Sequence, residues 1–114
     1  MNRSAERVRD ELLVLAAQSG DEKAFSDLVV RWHRSLLRHA LQLTERSDAA
    51  GDVVQEAWLA IARGIAGLED PACFPRWAFQ IVSRKSADWV RGRQREHRLL
   101  AHLTELQVET PGAR

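Results

Sequence analysis

Apolar residues in this chain recur every three or four positions, and no run alternates strictly as a half-buried strand would. The clearest stripe is Phe25, Leu28, Val29, Trp32, Leu36, Ala40 and Leu43, with Arg31, Arg34 and Arg38 lying off it. That spacing predicts an amphipathic helix ending near Thr44. A second stripe, Val53, Val54, Ala57, Trp58, Ile61, Ala62 and Ile65, predicts another helix. Asp48 is its expected cap, and Gly64 and Gly67 loosen its end. Earlier in the chain, Ser4 can cap a first helix running to about Ser19. Gly20 then suits a C′ position and Asp21 a new N-cap.

The segment Leu68 to Pro75 interrupts this pattern. Asp70 before Pro71 makes a cap followed by a favoured first helical residue, so a short helical turn or an ordered loop is expected. A last long helix should start near Pro75 and run to about His97 or further, burying Ala78, Ile81, Val82 and Trp89. Thr104 to Arg114 reads as a fraying end. The predicted fold is all-α, a compact bundle of four helices. Residues 1–19 form an N-terminal helix packed on the domain, 20–100 the main body, and 101–114 a tail or the start of a linker.

A length of 114 residues bounds the chain to one domain. Hydrophobic residues at 45% and charged residues at 29% exclude wholesale disorder. A single cysteine, Cys73, excludes an intrachain disulfide and a Cys-based zinc cluster. No apolar run approaches the length of a membrane span, so no membrane insertion and a cytoplasmic location are expected.

The net charge of +1 argues against a nucleic-acid partner until the charge is located. Residues 48–72 carry −4 and residues 73–100 carry +5, so a nearly neutral total conceals a dipolar molecule. Arg84, Arg91, Arg95 and Arg98 step by seven, four and three along one stripe of the last helix. Fixed cations beside aromatic rings are the footprint expected for a polyanion that also offers flat bases. A solvated helix face would carry the same stripe. Trp32, Trp58 and Trp89 fall on apolar stripes and read mainly as core. Phe74 and Trp77 stand at the start of the basic helix, either as loop anchors or as a base-stacking site.

Nothing points to an enzyme. His33, His39, His97 and His102 are scattered, with no ligand pair at helical spacing, and no Gly-rich phosphate loop occurs. Cys73 has no evident base partner and reads as a small buried loop residue. No catalytic residue, metal or cofactor is expected.

The order of motifs resembles region 2 of bacterial RNA polymerase sigma factors of the extracytoplasmic-function group. Gly20-Asp21-Glu22-Lys23-Ala24-Phe25 with Leu28 is similar to that family's opening. Asp52-Val53-Val54-Gln55-Glu56-Ala57-Trp58-Leu59 is similar to its D-apolar-V-Q-E helix. Asp70-Pro71-Ala72-Cys73-Phe74-Pro75-Arg76-Trp77 is similar to its DPxxFRxW loop, and Ile81 to Arg91 to its reading helix. The likeness covers about residues 20–98.

The resemblance implies two partners. Asp52, Gln55 and Glu56 would bind the clamp helices of the polymerase beta-prime subunit. Asp70, Phe74, Arg76, Trp77, Gln80, Arg84, Lys85, Ala87, Arg91 and Arg95 would capture the non-template strand of the promoter −10 element. It leaves room for an anti-sigma factor as a third partner. Unstacking a base costs a few kcal/mol, and stacking on an aromatic ring returns about 1–3 kcal/mol.

Three departures matter. Ser83-Arg84 stands where the family often has Arg-Asn, so sequence preference should differ. Gly51 replaces a usual acidic residue, weakening the acidic patch slightly and the helix by up to about 1 kcal/mol. Nothing after residue 100 could supply the −35-reading helix-turn-helix domain of these factors. The reading favours a piece of a longer chain, with Thr110-Pro111-Gly112 opening an interdomain linker, over a stand-alone region 2. Two rivals stay open: a sigma-like module that binds polymerase or an anti-sigma factor without reading promoters, and a helical regulator acting on duplex DNA.

Overall fold

A computed structural model describes residues 3–108, which form four helices and no strand. Helix α1 spans Arg3–Gln18. It therefore begins before Ser4, which lies inside the helix and not at its cap. Gly20 takes φ +96°, the left-handed region where an L side chain is strained. Its amide donates to the Ala17 carbonyl at 3.0 Å, and the Asp21 amide to the Ala16 carbonyl at 3.1 Å. The chain thus turns sharply, and the Asp21 carboxylate caps the next helix by accepting from the Ala24 amide at 3.1 Å.

Helix α2 spans Glu22–Thr44 and ends on Glu45 in the left-handed region. Helix α3 spans Ser47–Gly64, capped in position by Arg46, whose side chain makes no capping bond. Asp48 sits inside the first turn, one step later than a cap, because Ser47 is already helical. Its carboxylate accepts from the Arg46 guanidinium and from the Ala49 amide at 2.9 Å, and both hold it below the usual carboxylate range.

Two short 3₁₀ turns follow, Ile65–Gly67 and Pro71–Cys73. Asp70 caps the second, accepting from the Ala72 amide at 3.0 Å, with Pro71 at the first helical position. Helix α4 then runs Phe74–Val108. Pro75 falls in its first turn, where no intrahelical partner for an N–H is needed.

The core is made where the stripes of all four helices meet: Val14, Leu28, Leu36, Ala40, Val54, Ala57, Ile61, Phe74, Ala78 and Val82 are buried. Leu43 is 43% exposed and stands outside it. Trp32, Trp58 and Trp89 pack against the core with one edge open, so they are walls as much as core. Asp10 on α1 pairs with Arg31 on α2. The Gln18 amide donates to the carbonyls of Ile65 at 2.9 Å and Leu68 at 2.7 Å. The end of α1 therefore fastens the connection between α3 and α4.

Helix α4 runs eleven residues past His97, the longer of the two ends expected for it. Residues 98–108 hold neither Gly nor Pro and are rich in helix formers, so nothing local stops the helix. Thr104 to Val108 are helical, and residues 109–114 lie outside the described residues. From Gln94 to Gln107 every residue is exposed. The projecting part makes the molecule 70 Å long and only 27 by 20 Å across. None of the helices is long and apolar enough to cross a membrane, among the described residues.

Candidate nucleic-acid interface

Helix α4 presents one open face. Arg76, Gln80, Arg84, Ala87, Arg91 and Arg95 are all exposed and follow one another by three or four positions. The face is possible because the other sides of α4 are used. Ala78, Ile81, Val82 and Ser86 point into the core, and Phe79 meets Trp32 and His39 edge-on at 6.4 and 5.2 Å between centroids. Ser83 turns inward, its hydroxyl 2.8 Å from His39 Nε2, while Arg84 turns outward. Among the described residues, Arg76, Arg84 and Arg95 enter no ion pair. Arg91 pairs with Asp88 one turn back. Both groups of that pair are well exposed, so it holds Arg91 weakly.

Lys85 departs from this row. It is half-buried and faces α3, sharing a cleft of about 360 Å³ with Asp52, Glu56, Asp88 and Trp89. The resemblance grouped it with Arg84, but one residue is a 100° rotation on a helix, enough to turn it toward the neighbouring helix.

Phe74 also departs. It is fully buried in the core, so its ring is the loop's anchor and cannot meet a base. The Asp70 cap and Pro71 turn the chain so that the ring enters the core. The Asp70 carboxylate is occupied by this loop, holding the Ala72 amide and, at 3.6 Å, the thiol of Cys73. Cys73 itself is exposed, contrary to the buried position expected for it.

Trp77 is half-buried. It leans on Phe74, centroids 6.1 Å apart, and its six-membered ring lies against Gly64 at the end of α3. The ring is thus wedged between the core anchor and the α3 terminus with an edge toward solvent. Sequence reading found Trp77 but not this seat, nor the Gln18 bonds that steady the same connection. Both depend on residues far apart in the chain.

On α3, Asp52, Gln55 and Glu56 are exposed, as their absence from the apolar stripe predicts. The helix sets them on a ridge between two concavities. Asp52 and Glu56 border the cleft shared with Lys85. Gln55 borders a groove of about 560 Å³ between α2 and α3, whose walls include Phe25, Val29, Leu37, Trp58 and Leu59. Trp58 Nε1 donates to His33 Nδ1 at 3.2 Å across that groove.

Known proteins are similar to this chain. The family model for sigma-70 region 2 matches residues 28–96. The ECF RNA polymerase sigma-E factor of Haemophilus influenzae is 30% identical over 91 residues, covering 80% of this chain and 48% of that protein. The RNA polymerase sigma factor NccH of Alcaligenes xylosoxydans xylosoxydans is 31% identical over 107 residues, covering 90% of this chain and 58% of its own length. The chain thus spans about half the length of the curated relatives it matches. Among solved structures, an engineered region 2 of sigmaE, determined by NMR in complex with GTAAAA, superposes with a TM-score of 0.70 at 29% identity. That match covers 76% of this chain and 90% of the other. The family model covers more than half of the chain and the relatives include ECF sigma factors, so the chain belongs to the sigma-70 region 2 family, in its extracytoplasmic-function group.

Proposed function

We propose that this domain captures the non-template strand of a promoter −10 element while its α3 ridge holds core RNA polymerase. The observation that carries the reading is the open face of α4, where Arg76, Gln80, Arg84, Arg91 and Arg95 stand in a row beside the edge of Trp77. Cations spaced along a helix can track successive phosphates, and an aromatic edge at one end can hold a base that has left its stack. Capture then favours the melted strand. The few kcal/mol lost in unstacking are offset by about 1–3 kcal/mol of ring stacking per base and by the release of counterions from the phosphates. No covalent step is involved. The relative solved in complex with GTAAAA supports nucleic-acid binding by a domain of this fold.

The α3 ridge suits a protein partner. Carboxylates and an amide bordered by an apolar groove can meet both an arginine and an apolar side chain of a partner helix. The beta-prime clamp helices are the partner proposed for it, and an anti-sigma factor would compete for such a surface.

The test is binding of single-stranded and duplex DNA across a salt series. The probes are the hexamer GTAAAA and a randomised hexamer pool, because the Ser83-Arg84 pair departs from the family's usual residues and should change sequence preference. The single strands should bind more tightly than duplex, and log affinity should fall with log salt at a slope of about −2 to −3, the value for about four phosphate contacts. Equal affinity for duplex, or no salt dependence, would overturn strand capture. In that case retained association with core polymerase would support the interaction-module reading.

A further inference from the structure

We infer that Gly64 is a positioning residue for Trp77: the space left by its missing Cβ is the seat that sets how far the indole reaches toward the strand. This rests on the strand-capture reading and adds a residue to it.

The backbone does not require glycine at position 64. Its φ of −104° and ψ of −11° are open to any L residue. It is the space that requires it. A Cβ built there would stand 3.0 Å from Trp77 Cζ2 and 3.5 Å from Cη2. The first distance is well inside the 3.5–4.0 Å optimum for two carbons. Elsewhere the glycines are different: a Cβ at Gly51 or Gly67 meets nothing within 4 Å. On the ring's inner side stands Phe74, fully buried and close-packed. A displaced indole therefore has solvent as its way out. The displacement changes the tilt and reach of the ring and leaves the core intact.

Gly64→Ala is the direct probe, with Gly64→Ser as a second variant carrying the same Cβ. Both should stay folded with a melting temperature within a few degrees of the unaltered protein, because the gain in helix preference over glycine opposes the cost of moving the indole by a few tenths of an ångström. Strand binding should weaken about 3- to 10-fold, part of what a stacked base contributes, while Gly67→Ala binds like the unaltered protein. A Trp77→Phe background separates positioning from general damage, because the smaller ring no longer fills the seat. There Gly64→Ala should have no further effect, the non-additivity expected of residues that act through one contact. The Trp77 indole N–H resonance, assigned by its loss in Trp77→Phe, should shift in Gly64→Ala and stay in place in Gly67→Ala. Unchanged strand binding by both Gly64 variants, or additive effects in the Phe background, would overturn the inference and leave strand capture standing. Failure of the unaltered protein to bind either single-strand probe would overturn strand capture and this inference with it.

Discussion

The α3 ridge and the α4 face differ in shape before they differ in charge. On α3, Asp52, Gln55 and Glu56 stand between two concavities, one charged and one apolar. On α4, the row is exposed from Gln80 to Arg95, while Arg76 at its start borders a concavity shared with Glu6, Asp10 and Glu11 of α1. A ridge flanked by grooves offers a partner helix somewhere to seat side chains. An exposed row of forked cations offers a flexible strand a track. The two come together at the cleft that holds Asp52 and Glu56 of α3 with Lys85 of α4, where Asp88 on the same cleft pairs with Arg91 of the row. The dipolar charge pattern is therefore two neighbouring surfaces sharing an edge, not two opposite sides of the molecule.

The sharpest way to break this comparison is to remove what both surfaces rest on. Phe74→Ala should cost about 3–5 kcal/mol, as truncation of a fully buried aromatic does, and urea unfolding will measure it. Both surfaces should be lost together. Next in size, Trp77→Ala with Arg84→Ala should weaken single-strand binding by about 10- to 100-fold, removing one stacking partner and one phosphate contact. A fluorescence-anisotropy titration at fixed salt checks this, and polymerase association should not change. The reciprocal change, Gln55→Ala with Glu56→Ala, should weaken association with core polymerase about tenfold and leave strand binding as it was. If either pair of changes disturbed both partners equally, the division into two surfaces would be wrong. The smallest effect is at Gly51, exposed in α3 with free space around a Cβ. Gly51→Ala should stabilise the fold by up to about 1 kcal/mol, read as a modest rise in thermal midpoint with both binding activities retained.

Much of this molecule was legible in its spacing. Gly20 and Asp21 announced the turn between α1 and α2, since each supplies a conformation or an acceptor that few residues can. Asp70 before Pro71 announced the short turn in the same way. The four helices followed from apolar residues at intervals of three and four. Less was legible where two elements compete for one side chain. Phe74 and Trp77 are three residues apart in a motif that treats them alike, yet one is core and the other an edge. Arg84 and Lys85 are adjacent cations, yet they serve an open face and a cleft.

The sequence by itself determined the elements, the caps at Asp21 and Asp70 and the charge each helix carries. These are local properties, set by backbone conformation and by side chains within one or two turns. Only the tertiary structure decided which face of each helix remained free. That choice depends on how Gln18 reaches the carbonyls of Ile65 and Leu68, how His39 meets Ser83 and how Trp77 finds the bare flank of Gly64. Each contact joins residues too far apart for helical periodicity to relate them, and each is possible only once close packing has fixed where the helices lie.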